Sequence, residues 1–147
     1  MAITMFRSGR RFFSAAAILM LVTAALHTFG FFAPHPLTPA ESGIMSAMSN
    51  FREDMGSMHP SMADIYFSLA MAMTVTFFAL GIISLVLASS NEISDAMIQR
   101  IGWINFLWVT AICIESYHYQ IPPPLIFGII IDIFVLAGLL LPSRKST

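Results

Sequence analysis

Four ionisable residues, His27, Glu115, His118 and Asp132, stand in or beside long apolar runs. Polar groups inside a bilayer are costly, so each needs a partner or a task. Asp132 is the most demanding, because Ile129-Ile130-Ile131-Asp132-Ile133-Phe134 offers it no local partner. Something on another helix must meet it, and a pairing with His27 would satisfy both. Glu115 and His118 are at i and i+3 and share a helix face, with Trp108 two turns below Glu115 on the same stripe. A fifth group, Asp64, completes Ser61-x-x-Asp64, the pattern of a capping box at a helix start.

Three chemistries could use this set. His27 and His118 are the right residue type for the axial ligands of a b-type haem. A di-iron bundle needs two Glu-x-x-His units, and Glu115 to His118 is the one present, which argues against it. Proton or ion translocation needs a polar chain across the membrane, but below these groups the sequence offers Asn105 and little else. The quieter readings are structural: His118 and Tyr119 as interfacial anchors, His27 bonded to a neighbouring helix, Glu115 reaching water.

The elements that position these groups follow from hydropathy. The 147 residues are 57% hydrophobic and 10% charged, with a mean hydropathy of +0.80. A water-facing domain carries about 25% charged residues. Crossing a bilayer takes about 20 apolar residues in a helix. Four segments qualify: about Phe12 to Phe32, Ile65 to Ala88, Ile101 to Tyr117 and Leu125 to Leu141. The first is longer than the apolar core of a signal peptide and lacks a good cleavage pattern, so it reads as a retained span.

Six of the seven basic residues fall on one side of a four-span layout (Arg7, Arg10, Arg11, Arg100, Arg144 and Lys145), with Arg52 alone on the other. The positive-inside rule then puts both termini in the cytoplasm. At about 1.5 Å per residue, His27 lies about 7 Å below the outer end of its span and Asp132 about 10 Å below. With Glu115 and His118 they form a candidate polar pocket opening outward.

The connections read unevenly. Ser94 before Asp95 is a helix cap, and Pro122, Pro123 and Pro124 preset the fourth span. In the outer loop, 33–64, the prolines 34, 36 and 39 exclude early helix. After them Ile44, Met48, Phe51, Met55 and Met58 recur at intervals of 4, 3, 4 and 3, the stripe of an amphipathic helix. Its Met45-x-x-Met48 and Met55-x-x-Met58-His59 would suit Cu(I), against the plainer reading of methionine as an adaptable apolar filler on the packed face. On span two, Asp64, Ser68, Ala72 and Thr76 form a small-and-polar stripe suited to close helix contact. Cys113, the single cysteine, reads as a packing residue. A net charge of −1 without a basic patch excludes nucleic acid as a partner.

The chain resembles a family of small four-span bacterial membrane proteins whose members have no assigned function. The features that carry the likeness are Leu26-His27, the segment from Phe51 to Met55-Gly56, Asp64-Ile65-Tyr66, Gly81, and Pro123-Pro124 with Phe127. The family often has a glycine after the aromatic that opens span two, where this chain has Tyr66-Phe67-Ser68. The resemblance implies a four-helix fold in a bacterial inner membrane and no particular activity.

The sequence therefore predicts an all-α, four-helix transmembrane bundle with an outer amphipathic helix between spans one and two. Its partners are the lipid bilayer and either further copies of itself or a larger membrane complex. A non-enzymatic accessory subunit or a binder of a small apolar, lipid-like ligand is the leading expectation. A haem- or metal-binding redox protein is the alternative, and no cofactor is assigned.

Overall fold

The computed structural model describes residues 8–34 and 36–141. Arg7, Arg144 and Lys145, which enter the orientation argument, lie outside the described residues. The chain is all-α, with elements α1 (Ser8–Phe32), α2 (Pro39–Asn50), α3 (Met62–Ser89), α4 (Asp95–His118) and α5 (Pro122–Leu140). Four of these, all but α2, are long and apolar enough to cross a membrane. Each extends past the apolar run that announced it: α4 begins at Asp95 where the run begins near Ile101. Helix propensity and capping continue a helix into water, whereas hydropathy marks just the part that lipid must cover.

The caps are as the sequence reads. Ser94 accepts from the Met97 N–H at the start of α4. Ser61 and Asp64 close a reciprocal box at the start of α3: Ser61 Oγ and N donate to Asp64 Oδ2 (2.7 and 2.9 Å), and the Asp64 N–H returns to Ser61 Oγ. Between α4 and α5 the chain turns through Gln120 at φ 56°, and the prolines occupy the first turn of α5.

The loop after α1 departs from expectation twice. Helix α2 starts at Pro39 itself, because a proline at the first helical position gives up an N–H that has no intrahelical partner anyway. Thr38 caps it, with Glu41 completing the box. The helix also stops at Asn50 rather than running on to Met58. From Arg52 the chain folds into a small hairpin, with Arg52 opposite Ser61 and Met55 opposite Met58. Gly56, at φ +72°, makes the tip, a conformation that favours glycine. Bonds from Glu53 N to Pro60 O and from Met62 N to Phe51 O, both 3.0 Å, hold its base. The apolar stripe is thus divided between a helix and a hairpin.

The described chain forms two compact units, 24–76 and the remainder. In the larger unit the first half of α1, the end of α3, α4 and α5 pack as a four-helix bundle around Ala17, Met20, Val109, Ile131 and Val135, all without measurable exposure. Glycine brings the helices close. A Cβ on Gly9 would stand 2.7 Å from the Gly138 carbonyl oxygen, one on Gly81 2.9 Å from Leu21, and one on Gly102 2.8 Å from Leu139. In lipid such contact matters more than apolar burial, since tails are as apolar as the side chains they replace. On the outside, Leu107, Ile114, Ile133 and Leu140 are each at least 60% exposed. That surface suits a bilayer and not water.

The buried face of α3 differs from the expected one. Thr74, Phe77, Gly81, Ser84 and Ala88 turn inward, while Ser68 and Ala72 are exposed and Thr76 bonds to its own Ala72 carbonyl. At about 100° per residue the two stripes are centred on nearly opposite faces of the helix. Close contact of Gly81 with Ala17 and Leu21 fixes the rotation.

Candidate functional site

Each of the two ionisable residues within the spans has a threonine partner inside its own unit. In 24–76, His27 Nδ1 lies 2.8 Å from Thr74 Oγ1, joining α1 to α3. Thr74 Oγ1 is also 3.3 Å from the Ala70 carbonyl. If that oxygen takes the hydroxyl proton, the imidazole donates from Nδ1 and Nε2 carries the lone pair. His27 also abuts Phe31, whose ring meets Tyr66 and Phe67 at 5.8 and 5.4 Å between centroids. In the larger unit, Thr110 Oγ1 donates to Asp132 Oδ2 at 2.8 Å, joining α4 to α5. Gly128 leaves room beside this pair for Cys113, since a Cβ there would stand 2.5 Å from the sulfur. Asp132 Oδ1 is buried and has no hydrogen-bond partner among the described residues.

Glu115 and His118 share one face near the end of α4, and both are exposed. His118 stacks edge-on against Tyr119, 4.9 Å between centroids, as an interfacial ring pair does. Of the four predicted residues, then, two are placed together on one helix, and the other two belong to different units with separate partners. Among the described residues no group of three or more His, Cys, Asp or Glu side chains gathers to hold a metal ion. On the hairpin, Met55 and Met58 are exposed and face each other across the strands, with His59 and Asp54 one pair further on, 3.7 Å apart.

Two polar clusters escaped the sequence reading. The Arg10 guanidinium donates to Asp95 Oδ1 from Nε and Nη2 (3.1 and 3.0 Å) and to the Ser90 and Ile93 carbonyls (2.6 Å each). It ties the start of α1 to the α3–α4 turn, where the orientation argument counts Arg10 simply as a charge. Asn105 Nδ2 donates to Ser84 Oγ at 2.7 Å in the bundle interior, and Asn105 Oδ1 is left without a described partner. The signal for the first was two opposite charges, Arg10 and Asp95, on the same side of the expected layout. For the second it was two polar residues at matching depth on neighbouring spans.

The fold and these contacts define a multi-pass α-helical membrane protein in which His27, Asn105 and Asp132 each meet a hydroxyl on another helix. No protein-family model matches the chain, nor does any curated protein or solved structure.

Proposed function

We propose that this chain is a non-enzymatic accessory subunit of a bacterial inner-membrane assembly, with both termini on the cytoplasmic side. The observation that supports it is how the ionisable groups are used. His27 and Asp132 are each tied to a threonine hydroxyl on another helix, a fastening role. Glu115 and His118 are instead exposed, beside Tyr117 and Tyr119, at one end of α4. An exposed carboxylate and imidazole at the edge of a span suit docking to another membrane chain, a second copy included, better than contact with lipid tails.

The test is site-specific photocrosslinking in whole cells. A photoreactive residue at 115 or 118 is expected to give one discrete protein adduct of fixed mass, while the same residue at Ile104, on an exposed apolar face, labels lipid. Lipid adducts alone at all three positions would overturn the accessory role. Orientation is tested separately by labelling single cysteines placed at each helix end from either side of the membrane.

A further inference from the structure

We propose that the hairpin between α2 and α3 binds a soft monovalent metal ion, Cu(I), through the thioethers of Met55 and Met58. The two residues stand directly opposite each other, and the N–H of each donates to the other's carbonyl, at 3.0 and 3.4 Å. Side chains of such a pair leave the same face of the hairpin, with their Cβ atoms about 5.5 Å apart. Three rotatable bonds on each side then let both sulfurs close on one ion. Gly56, at φ +72°, makes the tight turn that sets this spacing. The whole arrangement is local to 24–76.

The plainer role for methionine, filling a packed face, does not apply to this pair. That role is visible at Met20, which has no measurable exposure in the bundle core. Met55 and Met58 are 57% and 66% exposed, and the helix whose apolar stripe they would extend ends at Asn50. Nor does the hairpin suit lipid. Arg52, Asp54, Ser57 and His59 are exposed around the two methionines, and the Asp54 side chain is 84% exposed. Two polarisable sulfurs are thus presented on one face of a polar turn.

Donor type selects the ion. A neutral thioether is a soft ligand that favours Cu(I), whereas magnesium, calcium and manganese prefer oxygen. His59 follows Met58 in the chain, so its ring leaves the opposite face, where it lies 3.7 Å from Asp54. The sulfurs therefore carry the site without the imidazole. With both termini cytoplasmic, as proposed above, this hairpin is on the outer side. There an oxidising environment pairs thiols as disulfides, and a thioether is the sulfur donor that cannot be lost that way. The single cysteine, Cys113, belongs to α4. The binding chemistry itself does not depend on the orientation.

Methyl NMR of the full chain in mild detergent, with methionine methyls labelled and oxygen excluded, tests the site by titration with the acetonitrile complex of Cu(I). The Met55 and Met58 resonances are expected to shift together and to saturate at one ion per chain. Met97, 47% exposed on α4, is expected to respond only at higher copper. Met58→Leu keeps side-chain volume and is expected to weaken the response of Met55 at least about tenfold, since even losing the outer-shell support of a metal ligand costs about 10–100-fold. His59→Gln is expected to leave both resonances titrating as before. Shifts at Met55 and Met58 that come no earlier than at Met97 would mean diffuse thioether binding and overturn the proposal. So would an unchanged Met55 titration in a Met58→Leu protein that is folded by thermal unfolding. A loss at His59→Gln as large as that at Met58→Leu would move the ion to the imidazole and overturn it too. The readout uses purified protein, so failure of crosslinking at 115 and 118, or of the orientation, is distinguishable from failure here.

Discussion

In the larger unit, Gly9, Gly81, Gly102, Gly128 and Gly138 each stand where an added Cβ would come within 3.0 Å of a neighbour. In 24–76, Gly30, Gly43 and Gly56 face open space out to 4 Å. The same residue type closes helices together in one region and packs against nothing in the other. The polar pairs divide similarly. The larger unit holds Arg10–Asp95 and Asn105–Ser84, largely withdrawn from the surface, while 24–76 holds His27–Thr74 and the two capping boxes, Thr38–Glu41 and Ser61–Asp64. Stability should therefore be concentrated in the larger unit, leaving 24–76 able to change shape locally at little cost.

The sharpest test of that contrast is substitution of glycines on both sides. Gly9→Val sets a side chain against the Gly138 backbone, which cannot rotate aside, and overpacking of this kind costs about 1–3 kcal/mol or more. A large fall in Tm in detergent is expected. Gly30→Ala, within α1 but facing open space, is expected to hold or slightly raise Tm, because alanine is the better helix former by about 0.5–1 kcal/mol. Equal losses at both positions would show that the two regions are packed alike.

Arg10 comes next. Arg10→Met strips Asp95 of its described guanidinium partner and leaves the Ser90 and Ile93 carbonyls without that donor. Hydrogen bonds to charged groups contribute about 1.5–3 kcal/mol each where they are withdrawn from water. The Arg10 side chain is 13% exposed and Asp95 24%, so a total loss of about 2 kcal/mol is expected after allowance for water. Asp95→Asn, which keeps an acceptor, should lose less. If Arg10→Met left thermal unfolding unchanged, the α1-to-turn contact would be a surface pairing of no consequence.

A smaller effect separates the two kinds of interhelical hydrogen bond. Ser84→Ala removes the described partner of Asn105, a side chain that is 1% exposed and already leaves Oδ1 unmet. Thr74→Val removes the partner of His27, which is half-buried and has an aromatic neighbour in Phe31. Hydrogen bonds between membrane helices average about 0.6 kcal/mol and reach about 1.7. Ser84→Ala is expected near the upper figure and Thr74→Val near the lower, by equilibrium unfolding in mixed micelles. The reverse order would mean that His27 depends on Thr74 more than its burial suggests.

What the sequence made legible and what it hid have a common cause. Hydropathy runs, Ser61-x-x-Asp64, Ser94 and the triple proline are local signals, and the helices and caps they announce are all present. Rotation about a helix axis is not local. The stripe through Ser68 and Ala72 had the right composition for a contact face, yet Gly81 against Ala17 turned a different face inward. Asp132 plainly required a partner from another helix, but which hydroxyl at that depth would supply it, Thr110, depended on that same unseen rotation. The methionine stripe misled for another reason: a period of 3 and 4 is equally regular whether the backbone stays helical or turns at Gly56.

That glycine gives the smallest effect and the most local one. At φ +72° an L side chain is strained by about 1–2 kcal/mol, so Gly56→Ala should loosen the hairpin tip. The hairpin has exposed Met55 and Met58 across from each other, and its loosening uncovers little buried apolar surface. Tm should therefore move little while hydrogen exchange at Met55 and Met58, whose backbones bond to each other, accelerates. A Tm fall comparable to that of Gly9→Val would mean that the hairpin carries stability for the whole chain, and the division between a rigid bundle and a yielding 24–76 segment would be lost. Exchange that did not change would mean that the hairpin is held by its base alone, through Met62 N to Phe51 O, and that the tip conformation is incidental.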